Sequence, residues 1–129
     1  MKQLPKKVFV AFKTHFDIGF TDLAKNVTDW YSKGMIQGAL DVCRSSEDEP
    51  EGRRYTWTVP AWCMDKTIKG IADAKIKEET EHFLRSGQLV WHALPFTTHT
   101  EACGAEDFSR GLLIGRRLEK EYGLSLIHI

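Results

Sequence analysis

The 129 residues, 42% hydrophobic and 28% charged, suffice for one modest globular domain and are too apolar for a disordered tail. Basic and acidic side chains balance at 18 each, so the formal net charge is zero, which removes the electrostatic case for nucleic acid or an anionic membrane. No apolar run approaches the roughly 20 residues of a membrane span.

The three cysteines, Cys43, Cys63 and Cys103, are odd in number and widely spaced. They make neither a disulfide framework nor a Cys-x-x-Cys zinc ribbon, and a reduced, cytoplasmic setting fits them best. The N-terminal "MKQLPKKVFVAFKTHFD" joins basic residues to a short apolar run. That run is too short for a signal peptide and leads into His, Asp and Lys instead of a small-residue cleavage site.

The first element is "KVFVAFKT", Lys7–Thr14, a near-continuous apolar run that predicts a strand covered on both faces. From Asp22 to Ser46 apolar residues recur at helical spacing (Leu23, Val27, Trp30, Tyr31, Met35, Ala39, Leu40, Cys43), predicting one long helix with Asp22 as its N-cap. "SSEDEPEGRR", Ser45–Arg54, is a loop. "RRYTWTVPAW", Arg53–Trp62, reads as a second strand that stops near Pro60. Met64–Gly87 predicts a second helix, with Asp65 a candidate cap and Gly87 closing the C-terminus. "GQLVWHALPF", Gly87–Phe96, is a third strand, and Ala105–Gly123 a third helix. The order β-α-β-α-β-α is that of parallel strands joined by right-handed helical crossovers. It suits a small open sheet or the first part of a larger barrel; a complete parallel barrel takes about 250 residues.

The chemistry gathers where the first strand runs out, in "KTHFDIGFTD". Residues i and i+2 of a strand point the same way, so His15 and Asp17 can aim at one point, and Gly19 lets the backbone turn after them. Parallel α/β folds bind ligands at the C-terminal ends of their strands. An imidazole nitrogen with a carboxylate oxygen is a partial ligand set for zinc, which takes three or four protein donors. The competing reading is local: Asp17 capping the next helix and His15 packed at the strand end, although Asp22 is better placed to cap.

"VFVAFKTHFDIGFTD" resembles the opening of glycoside hydrolase family 38, the α-mannosidases and their relatives, which begins with a strand and a His-x-Asp-x-Gly-aromatic motif. The resemblance implies that this chain is the N-terminal part of a seven-stranded β/α barrel. It also implies that His15 and Asp17 are zinc ligands and that Phe20 is an aromatic wall for the sugar. "SGQLVWHALPFTTHTEACGAEDFSRGLLIGRRLEKEYG" is similar to the family's third strand and helix, with the Glu-Ala of an acidic stretch falling on Glu101 and Ala102. His99 and Glu101 are thereby candidate substrate contacts. The chain departs from the pattern at Lys13, where the family has a histidine, and at Phe20, where it has tryptophan. It departs again at His99-Thr100-Glu101-Ala102, which stands for Asn-Asp-Glu-Ala and marks a divergent branch.

The resemblance implies zinc-dependent, retaining hydrolysis of α-mannosides or related glycans, in which a carboxylate attacks the anomeric carbon while an acid protonates the leaving oxygen. The nucleophile has no counterpart among these residues, so no catalytic residue is assigned within the chain. Another metal-dependent sugar hydrolase, such as a deacetylase, and a non-catalytic sugar-binding α/β domain are the alternatives. His92 is either a pocket residue or a strand residue facing a helix, Trp57 and Trp62 read as core, and His82 as surface. The apolar tail "LSLIHI", Leu124–Ile129, reads either as the start of a fourth strand or, by its resemblance to a translated sequencing adapter, as foreign sequence, which predicts that the native sequence stops near Gly123.

Overall fold

The computed structural model describes Val8 and residues 10–124. Along them run β1 (Phe12–Lys13), α1 (Ala24–Trp30), a π-helical turn (Tyr31–Met35), α2 (Ile36–Ser45), β2 (Trp57–Pro60) and α3 (Ala61–Gly70). There follow α4 (Ala74–Arg85), β3 (Leu89–His92), a 3₁₀ turn (Thr100–Ala102) and α5 (Ala105–Tyr122). The strands form one parallel sheet in the order β1-β2-β3. Each crossover steps to the adjacent position in the same direction, and right-handed crossovers of that kind stack their helices on one side.

The register fixes the two faces. Phe12, Trp57 and Leu89 are Cα partners, as are Lys13, Thr58 and Val90. Trp57, Val59, Leu89 and Trp91 therefore share one face, and all are buried. Trp57 stacks on Tyr31 and Trp91 meets Tyr122 edge-on, so this is the face the helices cover. With Ile36, Leu40, Met64, Phe83, Leu84 and Leu118 these side chains make one core. The second face carries Lys13, Thr58, Val90 and His92, of which Thr58 and His92 are only half-buried. The chain is thus α/β with a small parallel sheet; a seven-stranded barrel goes beyond these three strands.

Several expectations are corrected. β1 is a two-residue ladder exposed on both faces, and Val8, Val10 and Phe12 lie open to solvent. Among the described residues β1 is an edge strand, so no neighbour covers its outer flank. The second and third strands are likewise shorter than expected. The helix expected over 22–46 is interrupted by the π turn. Tyr31 and Ile36 are both buried but stand five residues apart, one more than an α-helical turn brings onto a common face. A turn with wider hydrogen bonding keeps both on the core side and leaves Leu23 and Trp30 exposed.

The helix expected over 64–87 is two. α3 starts directly after Pro60 and ends at Gly70; Asp73 then caps α4, accepting the backbone N–H groups of Lys75 (2.8 Å) and Ile76 (3.3 Å). Asp65, expected as a cap, is instead a buried residue inside α3 that binds Lys69 and Arg117. At the end of α4 the amides of Gly87 and Gln88 bond back to Leu84 and Phe83, as expected of a glycine C-cap. Of the tail, only Leu124 is described, half-buried against the core; residues 125–129 lie outside the described residues. No helix among the described residues is long and apolar enough to cross a membrane.

Candidate functional site at the end of the first strand

The ladder of β1 ends at Lys13, but its alternation continues. Thr14 and Phe16 turn inward: the Thr14 hydroxyl accepts the Trp57 indole N–H, and Phe16, 3% exposed, packs edge-on against Tyr31 and against Trp62. His15 and Asp17 consequently turn outward. Their Nε2 and Oδ1 atoms stand 2.9 Å apart in a hydrogen bond. Gly19, at φ 76°, reverses the chain toward α1. The Asp22 carboxylate accepts the Leu23 N–H (2.7 Å) and the Asn26 side-chain N–H (3.0 Å), while Leu23 takes the N-cap position with no side-chain bond. Asp22 thus braces the helix start from one residue further out than expected.

Between this loop and α1 lies a cavity of about 260 Å³. His15, Asp17, Thr21 and Asp22 form its loop wall, and Asn26, Val27, Trp30 and Tyr31 its helix wall. The Tyr31 hydroxyl donates to the His15 carbonyl over a long 3.5 Å. Burial first, then the charges of Cys63 and Asp17, push the Tyr31 phenol up to about 12, so it remains a neutral donor at physiological pH.

An imidazole and a carboxylate with adjoining donor atoms suit zinc in kind, since both are ordinary zinc ligands. In the 2.9 Å hydrogen bond the Nε2 of His15 carries the shared proton, so both atoms could hold one ion only after that proton moves to Nδ1 or leaves. Among the described residues no group of three or more His, Cys, Asp or Glu side chains gathers at one point. The fit is that of two donors out of a larger set.

The remaining site residues lie elsewhere. Phe20 follows the Gly19 turn with its ring 87% exposed and does not line the cavity. His99 and Glu101 sit exposed around the 3₁₀ turn before α5 and do not line it either. His92 ends β3 on the second sheet face, with its Nε2 buried and without a hydrogen-bond partner. Burial, and secondarily the charge of Lys13, hold its pKa below the ordinary 6.5. His82 is exposed and bonds Glu47 at 2.7 Å. Sequence reasoning placed Trp30 in the core stripe and did not single out Asn26; both face the cavity. The available signal was spacing: Asn26, Trp30 and Gly34 follow one another at i+4, on one helix face.

Searched against protein-family models, curated proteins and solved structures, the chain matches none of them.

Proposed function

We propose that the chain is the N-terminal portion of a zinc-dependent retaining glycosidase acting on α-mannosides or related glycans, working in the cytoplasm. The observation that carries this reading is the direct meeting of His15 Nε2 and Asp17 Oδ1 beyond the end of a parallel strand, within the His-x-Asp-x-Gly-aromatic motif. His15 and Asp17 would be two of the metal's ligands. Zinc, when bound, would supply positive charge that orients sugar hydroxyls and favours the transition state.

The chain's own residues prepare that site. Phe16 anchors the loop in the core, so the outward aim of its two neighbours is set by packing instead of by flexible loop geometry. The imidazole is held by the Asp17 carboxylate, which favours neutral or cationic partners over anions at this point. Phe20, His99 and Glu101 would contact more distant parts of a glycan. The nucleophilic carboxylate is assigned to no residue of this chain.

The test is zinc uptake, read by metal analysis after equilibrium dialysis, for the wild type, His15→Ala and Asp17→Ala. Each substitution should reduce affinity by about tenfold or more, the scale of a lost metal contact. Zinc content unchanged in both variants would refute the metal role and favour a non-catalytic α/β domain. In a version extended to hold a nucleophile, release of phenol from an aryl α-mannoside is expected; acetate release from an acetylated sugar would point to a deacetylase.

A further inference from the structure

Trp30 is the unusual tryptophan of this chain. Trp57 and Trp91 are buried and Trp62 half-buried, whereas the Trp30 side chain is 59% exposed while forming part of a cavity wall. Its position is built. The π turn begins at Tyr31, so the step that draws Tyr31 and Ile36 together into the core leaves Trp30 at the last α-helical position, facing out. The indole then lies along the helix over Gly34, where any Cβ would overlap the six-membered ring. Glycine at 34 is what allows the ring to lie flat there.

The cavity that Trp30 borders also holds groups of complementary chemistry. Asn26 lies one helical turn earlier and donates its side-chain N–H to Asp22 Oδ1 (3.0 Å), while Asp17 Oδ1 meets His15, which leaves each carboxylate its second oxygen for a ligand. An aromatic face flanked by short polar acceptors and an amide suits a ligand with one apolar C–H face and a rim of hydroxyls, which is a pyranose. A cavity of about 260 Å³ lies below the ordinary range of ligand sites and suits one ring instead of an extended oligosaccharide.

We propose that Trp30 is the stacking platform for a single sugar ring in this cavity, with Asp17, Asp22 and Asn26 receiving its hydroxyls. The choice of ligand class rests on the glycosidase reading; the geometry of the platform does not depend on the metal.

The test titrates the whole chain with methyl α-D-mannopyranoside, following tryptophan emission and saturation-transfer NMR, with zinc uptake measured in parallel. The wild type should bind saturably, with the exposed indole as the reporter. Trp30→Ala should weaken binding by about tenfold or more, and Trp30→Phe should retain most of it. Gly34→Ala keeps the indole but displaces it, and should weaken binding as Trp30→Ala does, with an unchanged circular dichroism spectrum. Zinc uptake should be equal in Trp30→Ala and wild type, and mannoside binding that survives in His15→Ala would still support the platform. Mannoside bound equally by wild type, Trp30→Ala and Gly34→Ala would overturn the platform while leaving the metal reading intact. Absence of any saturable binding to the wild type would overturn it as well.

Discussion

Asp65 is the informative position for stability, because its ion pairs are buried on one side only. Its carboxylate, 7% exposed, meets Arg117 Nη2 of α5 at 2.7 Å and Lys69 Nζ at 2.9 Å, while both cations reach solvent along more than half of their side chains. Breaking a fully buried pair costs about 3–5 kcal/mol because a charge is left unpaired in low dielectric; an exposed pair contributes about 0–1 kcal/mol. Asp65→Ala removes the buried member and frees two cations that water can solvate. What is lost is two charge-assisted hydrogen bonds, offset by relief of the carboxylate's desolvation, so the expected cost is about 2 kcal/mol. Replacing both cations instead, as Arg117→Met with Lys69→Met, strands the carboxylate and should cost about 3–5 kcal/mol. Urea unfolding followed by circular dichroism measures both. The double replacement costing no more than Asp65→Ala would refute the reasoning, since the predicted asymmetry comes from which partner is left in the protein.

Three further outcomes follow from local environment. Burial pushes the Cys63 thiol up to about 12 and the Cys43 thiol up to about 11, while Cys103 is half-buried in the loop before α5. A thiol reagent at neutral pH should therefore label Cys103 promptly and the other two only on unfolding; prompt labelling of all three would contradict the packing. His92 titrates below 6.5 when folded, so as pH falls the unfolded chain takes up the proton first. Its contribution to stability is present above pH 6.5 and is lost below it, as pH falls through the folded pKa; His92→Gln should flatten that part of a stability-against-pH curve. Gly19→Ala meets no atom within 4 Å, so its cost is the backbone alone, about 1–2 kcal/mol, and Gly19→Asn should cost less. Equal melting temperatures for the wild type and Gly19→Ala would show that the left-handed turn is not required.

The sequence made the order of elements legible, because the strand segments are apolar or β-branched and the helices carry clear i, i+3, i+4 patterns. It also located the His15–Asp17 pair, since strand alternation survives past the last ladder bond as long as Phe16 is drawn into the core. It concealed the π turn: Tyr31 and Met35 satisfy a four-residue spacing, and only the packed structure shows that Ile36 is the residue fully enclosed, with Met35 half-buried. The division between α3 and α4 was written in Gly70 and Asp73, but the apolar positions Ile68, Ile71 and Ile76 span the break and read as continuous. The exposure of β1 was not legible at all. An apolar run announces what a strand can bury, and its position in the sheet decides what it does bury.

Cavity size and chemistry point to opposite ends of the sheet, and chemistry is the better guide. The cavity at the N-terminal end, about 650 Å³, exceeds the one beside α1 and is lined by Val8, Val10 and Phe12 together with Arg53, Arg54 and Gln88. Gln88 is 1% exposed and spends its amide N–H groups on Cys43, Ser46 and Tyr55, closing the gap between α2 and β3, while its Oε1 is buried without a hydrogen-bond partner. The C-terminal end carries His15, Asp17 and His92 and, in the segment after β3, His99 and Glu101, of which His15 and Asp17 line the cavity beside α1. In a parallel sheet the strands all end together on that side, so the loops of separate strand–helix units emerge at one end of the sheet. A single sheet order therefore accounts for both the neighbouring donors of His15 and Asp17 and the position of Trp30 across from them. The loop that carries the donors and the helix that carries the platform are consecutive segments of one β-α unit, joined by the turn at Gly19.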